Sequence, residues 1–359
     1  MPNLILTESC NKNCKYCFAR GSHELRPEMS VQMAKALIDR IYEEGDHVQL
    51  LGGEPTIAKN FKEIFDYLMH KQDGNSPVAH DDYPTLITNN LFSEELCEFL
   101  FEYLEKGYKF SMLLNATELD EQNRFPTFLR NYNRLAQLNV DHMSVGITID
   151  ATRSTRYLVR YVRWLIQNIP TFSHHLRLSA PMPSGTKTYI PYEHKSIGRK
   201  IYKVCKEMVR LHTTGNFDCA LPPCLFTEKQ YGFVNKYFQS RKFCQRECGP
   251  RDIYPDGHVI RCYPASAIRT LPSDNIDYVT DSIYKRIPDF SWNYPTYLPE
   301  KCENCNYYKM KLCEGPCLGC LTVDTSLLDN PCEIDNTQNL ERRKNFLDFF
   351  KKKLTKAKN

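Results

Sequence analysis

The sequence predicts an α/β protein: a partial, TIM-like and laterally open (β/α)6 barrel followed by a small cysteine-rich domain. Three observations predict it. Between residues 3 and 212 short apolar runs alternate with amphipathic helical stretches in six strand–helix units, the alternation that yields a parallel sheet with helices outside it. Polar residues collect where those runs end, which is where barrels of this kind place their function. Sixteen cysteines are present, and they become dense at the start of the chain and again beyond residue 243.

Residues 3–8 form the first short strand. Ser30 is placed to cap a helix through Met33, Ala34, Leu37, Ile38 and Ile41 that stops at Gly45. The run 48–51 is a buried strand, and a helix with Phe61, Ile64, Phe65 and Leu68 follows, then a polar loop over 71–82. Residues 85–88 are a strand, and Ser93 caps a helix through Leu96, Phe99, Leu100 and Leu104, closed by Gly107. Strands at 109–114, 143–149 and 176–179 alternate with helices near 122–137, 155–168 and 196–212. The expected organisation is a barrel over 1–212, a bridging region over 213–243, a cysteine-rich domain over 244–335 and a basic amphipathic helix over 336–359.

The chain has 359 residues, with 42% hydrophobic and 25% charged residues, ordinary figures for a soluble protein able to bury a large core. The formal net charge of +4 is misleading. Residues 341–359 carry eight Lys/Arg against Glu341 and Asp348, a net of +6, so the remainder stands at −2. A body so near neutral gives no case for a broad nucleic-acid-binding face. No secretory signal and no membrane-spanning apolar run is present, so cysteine-rich reads as cytoplasmic metal or redox chemistry rather than disulfides.

Directly after the first strand comes Cys10-x3-Cys14-x2-Cys17. Three thiolates at this spacing wrap onto three corners of one metal cluster, whereas a closed zinc site takes four protein ligands, usually as two separated pairs. A disulfide with a spare thiol is the bland alternative. Cys10, Cys14 and Cys17, with Tyr16 just before the third cysteine, resemble the signature of radical S-adenosylmethionine (SAM) enzymes. The resemblance implies a 4Fe–4S cluster whose open iron chelates SAM, with Tyr16 beside the cofactor. It also implies reductive cleavage of SAM to a 5′-deoxyadenosyl radical that abstracts a substrate hydrogen atom.

At the end of the second strand stands Gly52-Gly53-Glu54-Pro55, where two glycines permit close approach of the backbone to a ligand. This matches the family's Gly-Gly-Glu motif, whose backbone binds the amino group of SAM while Glu54 supports the loop. Of the other strand-end polar residues, Thr88 and Asn115 are expected SAM contacts. Asn90 reads as a cap, and Asp150 stays open between cap and contact. Arg177, alternating with Leu176 and Leu178, is expected to point into the barrel, where its charge needs a partner such as SAM's carboxylate.

Cys97 and Cys205 fall in helical patterns and read as core. Cys219 and Cys224, with two prolines between them, stay open between ligating something or facing the active site and acting as buried small hydrophobes, the second reading slightly favoured. Beyond them Cys244-x3-Cys248 precedes the turn Tyr254-Pro255-Asp256-Gly257 in a hairpin-like stretch, and Cys262, Cys302, Cys305, Cys313, Cys317, Cys320 and Cys332 follow. Spacing alone leaves two structural zinc sites and two iron–sulfur clusters as competing readings. The array resembles the SPASM extension of radical SAM enzymes. That implies one auxiliary 4Fe–4S cluster on Cys244, Cys248, Cys262 and Cys317, and another on Cys302, Cys305, Cys313 and Cys332. Seven residues separate Cys305 from Cys313 where the pattern has five, and Cys320 competes with Cys332. Tyr263 stands where some relatives carry a catalytic aspartate.

The resemblance implies a radical SAM enzyme with three 4Fe–4S clusters that modifies a ribosomally made peptide or protein side chain, by a crosslink, thioether or oxidation. A flavodoxin- or ferredoxin-type electron donor is implied. A separate leader-binding protein is expected, because the first strand begins at residue 3. Rearrangement or oxidation of a small molecule such as an amino sugar, and a non-catalytic iron–sulfur or zinc scaffold, are the alternatives.

Overall fold

The computed structural model describes residues 2–14, 17, 28–71, 83–119, 124–150, 152–169, 175–180, 194–219, 221, 223–238, 251–257, 259–260, 304–311 and 313. Six strand–helix units run in order: β1 Pro2–Ile5 and α1 Val31–Glu43, β2 Gln49–Leu51 and α2 Phe61–Lys71, β3 Thr85–Thr88 and α3 Glu94–Glu105. They continue with β4 Ser111–Asn115 and α4 Arg124–Asn139, β5 Met143–Thr148 and α5 Thr155–Asn168, β6 His175–Ser179 and α6 His194–Arg210. The expected helix starts are made by their expected caps. The hydroxyl of Ser30 accepts from the Met33 amide and that of Ser93 from the Leu96 amide.

Consecutive strands pair in parallel from β1 to β6, with one residue type on each face. Leu4, Leu50, Leu86, Leu114, Val145, Leu176 and Leu178 are buried in the apolar core shared with the helices. The intervening Leu113, Asn115, Ser144, Thr148, Arg177 and Ser179 are only half-buried on the opposite face. The packing side of each helix is apolar by period, as Ala34, Leu37, Ile38 and Ile41 on α1 illustrate. Cys97 and Cys205 belong to this core, as expected.

The sheet extends past the six units at both ends. β7 Thr214–Phe217, inside the stretch read as a bridge, adds in parallel to β6. Its Thr-Gly-Asn-Phe has too little apolar character to announce a strand. α7 Glu228–Tyr237 follows, opened by a capping box of Thr227 and Gln230. At the opposite edge β8 Arg251–Ile253 lies parallel to β1, and β9 Val259–Ile260 turns back antiparallel to β8. The expected hairpin over Tyr254–Gly257 thus exists, with Gly257 at φ +84° where a side chain is strained. Asn3 donates to Asp252 at 2.5 Å and fixes the β1–β8 register. The strand order is β7-β6-β5-β4-β3-β2-β1-β8-β9.

α8 Asn306–Lys309 sits between Cys305 and Cys313, and the Tyr307 ring meets that of Tyr231 on α7 at a tilt of 54° with ring centres 5.6 Å apart. Among the described residues no helix is long and apolar enough to cross a membrane. Tyr16, Tyr263, Cys244, Cys248, Cys262, Cys302, Cys317, Cys320, Cys332 and the expected helix over 336–359 lie outside the described residues.

α5 and α6 are joined through Glu207, which accepts from Arg210 at 2.7 Å and from Arg163 at 2.7 Å. Hydrogen bonds from Arg210, followed by those from Arg163, hold the Glu207 carboxyl at about 2 against the opposing effect of burial. A carboxyl held low in the folded state stabilises it above the ordinary glutamate range and loses that stabilisation as pH falls toward 2. Glu207→Gln is expected to lower stability at neutral pH by about 1–2 kcal/mol, discounted for the exposure of both arginines. It is also expected to flatten the acid limb below pH 4.5. Urea unfolding at a series of pH values checks this, and an unchanged acid limb would contradict it.

Candidate active site

The loop leaving β1 and the loop leaving β2 are built as one object. The Gly53 amide donates to the Thr7 carbonyl at 2.8 Å, and the Glu54 amide to the Ser9 carbonyl at 2.8 Å. There is no room for side chains at the joint. A Cβ on Gly52 would fall 2.2 Å from the Thr7 oxygen, and one on Gly53 2.2 Å from the Ser9 oxygen and 2.5 Å from that of Glu8. The two glycines therefore serve close backbone contact with the segment that feeds the cysteines.

Glu54 is 1% exposed and is the hub beneath that joint. Its carboxylate accepts from the Thr56 hydroxyl at 2.7 Å, the Thr56 amide at 3.3 Å, the Thr88 hydroxyl at 2.7 Å and the Asn89 amide at 2.7 Å. Burial pushes the Glu54 carboxyl up, and these four donors pull the other way. The brace continues outward. Asn89 donates to the Asn11 side chain at 2.6 Å, and Asn11 donates to the Leu91 carbonyl at 3.4 Å. The cysteine loop is thus tied to the ends of β2 and β3 by side chains of complementary polarity.

Within the loop, the Cys17 amide donates to the Cys14 carbonyl at 3.1 Å, and the Lys12 amide to the Cys10 sulfur at 3.4 Å. Cys17 packs on Ile5 and Tyr254, so the β8–β9 turn reaches the third cysteine. The three cysteines are half-buried and none forms a disulfide. Burial raises the Cys10 thiol to about 11, which a bound metal would reverse by stabilising the thiolate. No three His, Cys, Asp or Glu side chains among the described residues converge around one ion. Thiolates taking separate corners of an iron–sulfur cluster need no such convergence, and an all-sulfur donor set suits iron–sulfur chemistry.

The other expected contacts fall on the same end of the sheet. Thr88 is 2% exposed and its hydroxyl hydrogen goes to Glu54, so it braces the loop. The Asn115 side chain accepts from the Thr117 amide at 3.1 Å, forming the turn after β4. Arg177 pairs with Asp218 at 2.8 Å, and Ser179 donates to the same carboxylate. Gly146 of β5 leaves space beside the Arg177 guanidinium, since a Cβ there would lie 3.1 Å from Nη2. Asn90 is not the helix cap expected of it. It sits at φ +60° and donates to the Phe128 carbonyl at 2.9 Å, bridging to α4. Asp150 accepts from the Thr152 amide at 2.8 Å and hydroxyl at 2.7 Å, a turn residue. The buried-thiol reading of Cys219 and Cys224 does not hold: Cys219 is half-buried, and Cys224 is exposed on the short 3-10 turn Pro223–Leu225.

Residues 4–178 match the family model described as the Radical SAM superfamily. The chain contains a radical SAM domain. The chain is 36% identical over 67 residues to an S-adenosylmethionine-dependent nucleotide dehydratase of Selenomonas ruminantium, covering 18% of this chain and 24% of that protein. It is 27% identical over 177 residues to an uncharacterized protein of Methanocaldococcus jannaschii, 46% of this chain and 59% of that one. The chain therefore matches less than two thirds of either relative's length. Among solved structures, Streptococcus suis SuiB bound to S-adenosylmethionine superposes with a TM-score of 0.61 at 15% identity, over 89% of this chain and 73% of that one. anSMEcpe with bound AdoMet and the Cp18Cys peptide superposes with a TM-score of 0.60 at 15% identity, over 99% and 98%. At such identities the likeness is one of fold.

The residues around the site that sequence reasoning missed are Lys12, Asn11 and Asp218. Each acts through a partner far along the chain: Thr117, Asn89 and Arg177. No local pattern marks such a pair. The one available signal was the inward Arg177, which required an acid without saying which.

Proposed function

We infer that this chain is a radical SAM enzyme that cleaves SAM reductively and takes a hydrogen atom from a ribosomally made peptide or protein side chain. The observation that carries the reading is the docking of residues 7–9, which lead into Cys10, onto the Gly-Gly-Glu loop at the ends of β1 and β2. Cys10, Cys14 and Cys17 would hold the first 4Fe–4S cluster. When bound, that cluster and SAM supply the electron and the 5′-deoxyadenosyl radical.

The chain's own residues do the positioning. Gly53 and Glu54 have spent their amides on Thr7 and Ser9, so the loop offers carbonyl oxygens to SAM's amino group. Glu54 with Thr88 holds the loop from beneath, and Asn115 flanks the cofactor from β4. Arg177 retains a buried Nε with no hydrogen-bond partner beside its pairing to Asp218, a donor left for SAM's carboxylate. Tyr16 is assigned to cofactor binding by the family resemblance.

Two auxiliary 4Fe–4S clusters are assigned to Cys244, Cys248, Cys262 and Cys317 and to Cys302, Cys305, Cys313 and Cys332, in a SPASM-type domain. Between Cys305 and Cys313 the Cys313 amide donates to the Tyr307 carbonyl at 3.2 Å, a turn back onto α8 that supports two ligands in this stretch. The peptide substrate is supported by the similar folds whose structures hold the SuiA and Cp18Cys peptides. A separate leader-binding protein and a flavodoxin- or ferredoxin-type donor complete the proposal.

The test is anaerobic reconstitution with iron and sulfide, followed by SAM, a strong reductant and short peptides, with 5′-deoxyadenosine as the readout. About twelve iron per chain is expected, four for each cluster, with 5′-deoxyadenosine formed and a peptide mass shift. Well-loaded protein that makes no 5′-deoxyadenosine with or without peptide would overturn the reading.

A further inference from the structure

Lys12 lies between two of the three loop cysteines, yet its side chain turns inward and the residue is 7% exposed. Its Nζ donates to the Thr117 carbonyl at 2.6 Å, two residues past the end of β4. That acceptor is neutral. Its own amide donates to the Cys10 sulfur at 3.4 Å, which sets the residue against the loop's thiols, and burial works against its charge. Glu118 already holds Arg153 at 3.0 Å. An ammonium removed from water needs an anion close by. The loop's own sulfurs are the negative groups best placed to supply one.

We propose that Lys12 is the counter-charge of the cluster held by Cys10, Cys14 and Cys17, favouring its reduced form while the bond to Thr117 pins the loop to the end of β4. This rests on the cluster reading given above. Reduction adds a negative charge to a site already rich in thiolate, so a fixed cation beside it makes the electron easier to accept. Lys12 touches no reacting atom in this role. It is a positioning and electrostatic residue.

The test uses the reconstituted full chain and needs neither substrate nor turnover. Iron content is measured first. The cluster whose EPR signal changes on adding SAM is then titrated against potential in wild type, Lys12→Met and Lys12→Arg. Lys12→Met keeps length and loses charge, so it is expected to load normally and to show about a tenfold lower reduced-to-oxidised ratio at fixed potential. That corresponds to 59 mV for one electron. Lys12→Arg is expected to stay within about threefold of wild type, because the charge remains.

A Lys12→Met protein that titrates like wild type overturns the proposal, as does an equal fall in both variants. Loss of iron from Lys12→Met, alone or together with Lys12→Arg, overturns it in favour of a packing or loop-holding role. Iron missing from the wild type would instead overturn the cluster reading, and this inference with it.

Discussion

Cys14→Ala is expected to abolish formation of 5′-deoxyadenosine and to lower iron by about four atoms per chain, the content of one cluster. The reason lies in the loop geometry. Cys14 is the middle thiol, and its carbonyl accepts the Cys17 amide at 3.1 Å. Alanine keeps that backbone turn while removing a ligand, so the loss separates coordination from folding. The auxiliary cysteines are untouched, so about two thirds of the iron should remain. Anaerobic iron and sulfide analysis with chromatography of the SAM products makes the check. Wild-type 5′-deoxyadenosine from Cys14→Ala would sink the assignment of this loop.

Gly53→Ala is the second large effect, and it contains no lost ligand at all. The added methyl would sit 2.2 Å from the Ser9 oxygen, 2.5 Å from the Glu8 oxygen and 2.7 Å from the Ser9 carbonyl carbon. All three are backbone atoms, so no flexible side chain can yield. Either the loop after β2 or the segment leading to Cys10 must shift. The expected cost is about 1–3 kcal/mol of stability from overpacking. The rate of 5′-deoxyadenosine formation should fall about 100-fold, the scale of an ångström-sized misplacement at a reacting centre. Gly232→Ala is the matched control, because a Cβ there on α7 meets nothing within 4 Å. It should be neutral or slightly stabilising by its better helix propensity. A Gly53→Ala enzyme as fast as Gly232→Ala would show that the two loops are not coupled.

Both predictions turn on a feature visible in one dimension, while their size depends on three. The Cys-x3-Cys-x2-Cys run and Gly-Gly-Glu are legible because each packs its chemistry into consecutive residues. What could not be read is that the glycines lie against the residues that lead into the first cysteine. In the sequence they suggested only an approach to a ligand. In the folded chain Gly52 meets Thr7, and Gly53 meets Glu8 and Ser9. Thr88 shows the same limit. Its place at a strand end pointed to the cofactor, but the buried Glu54 carboxylate, 34 residues back, takes its hydroxyl hydrogen. A buried carboxylate without donors would be costly, so the interior claims such hydroxyls first.

By itself the sequence determined the six strand–helix units, their order and their caps. Period, apolar runs and Ser30 or Ser93 act within a few residues, where the physics is local. It also determined the order in which polar strand ends meet the site. Only the tertiary structure decided the rest. β7 exists because β6 offers an edge to pair with, and β8 joins β1 across 249 residues through Asn3 and Asp252. Arg177 found Asp218, and Lys12 was turned inward to Thr117. Strand pairing at an edge and the pairing of charges depend on which surfaces the folded chain brings together, and that information is spread over residues with no spacing in common.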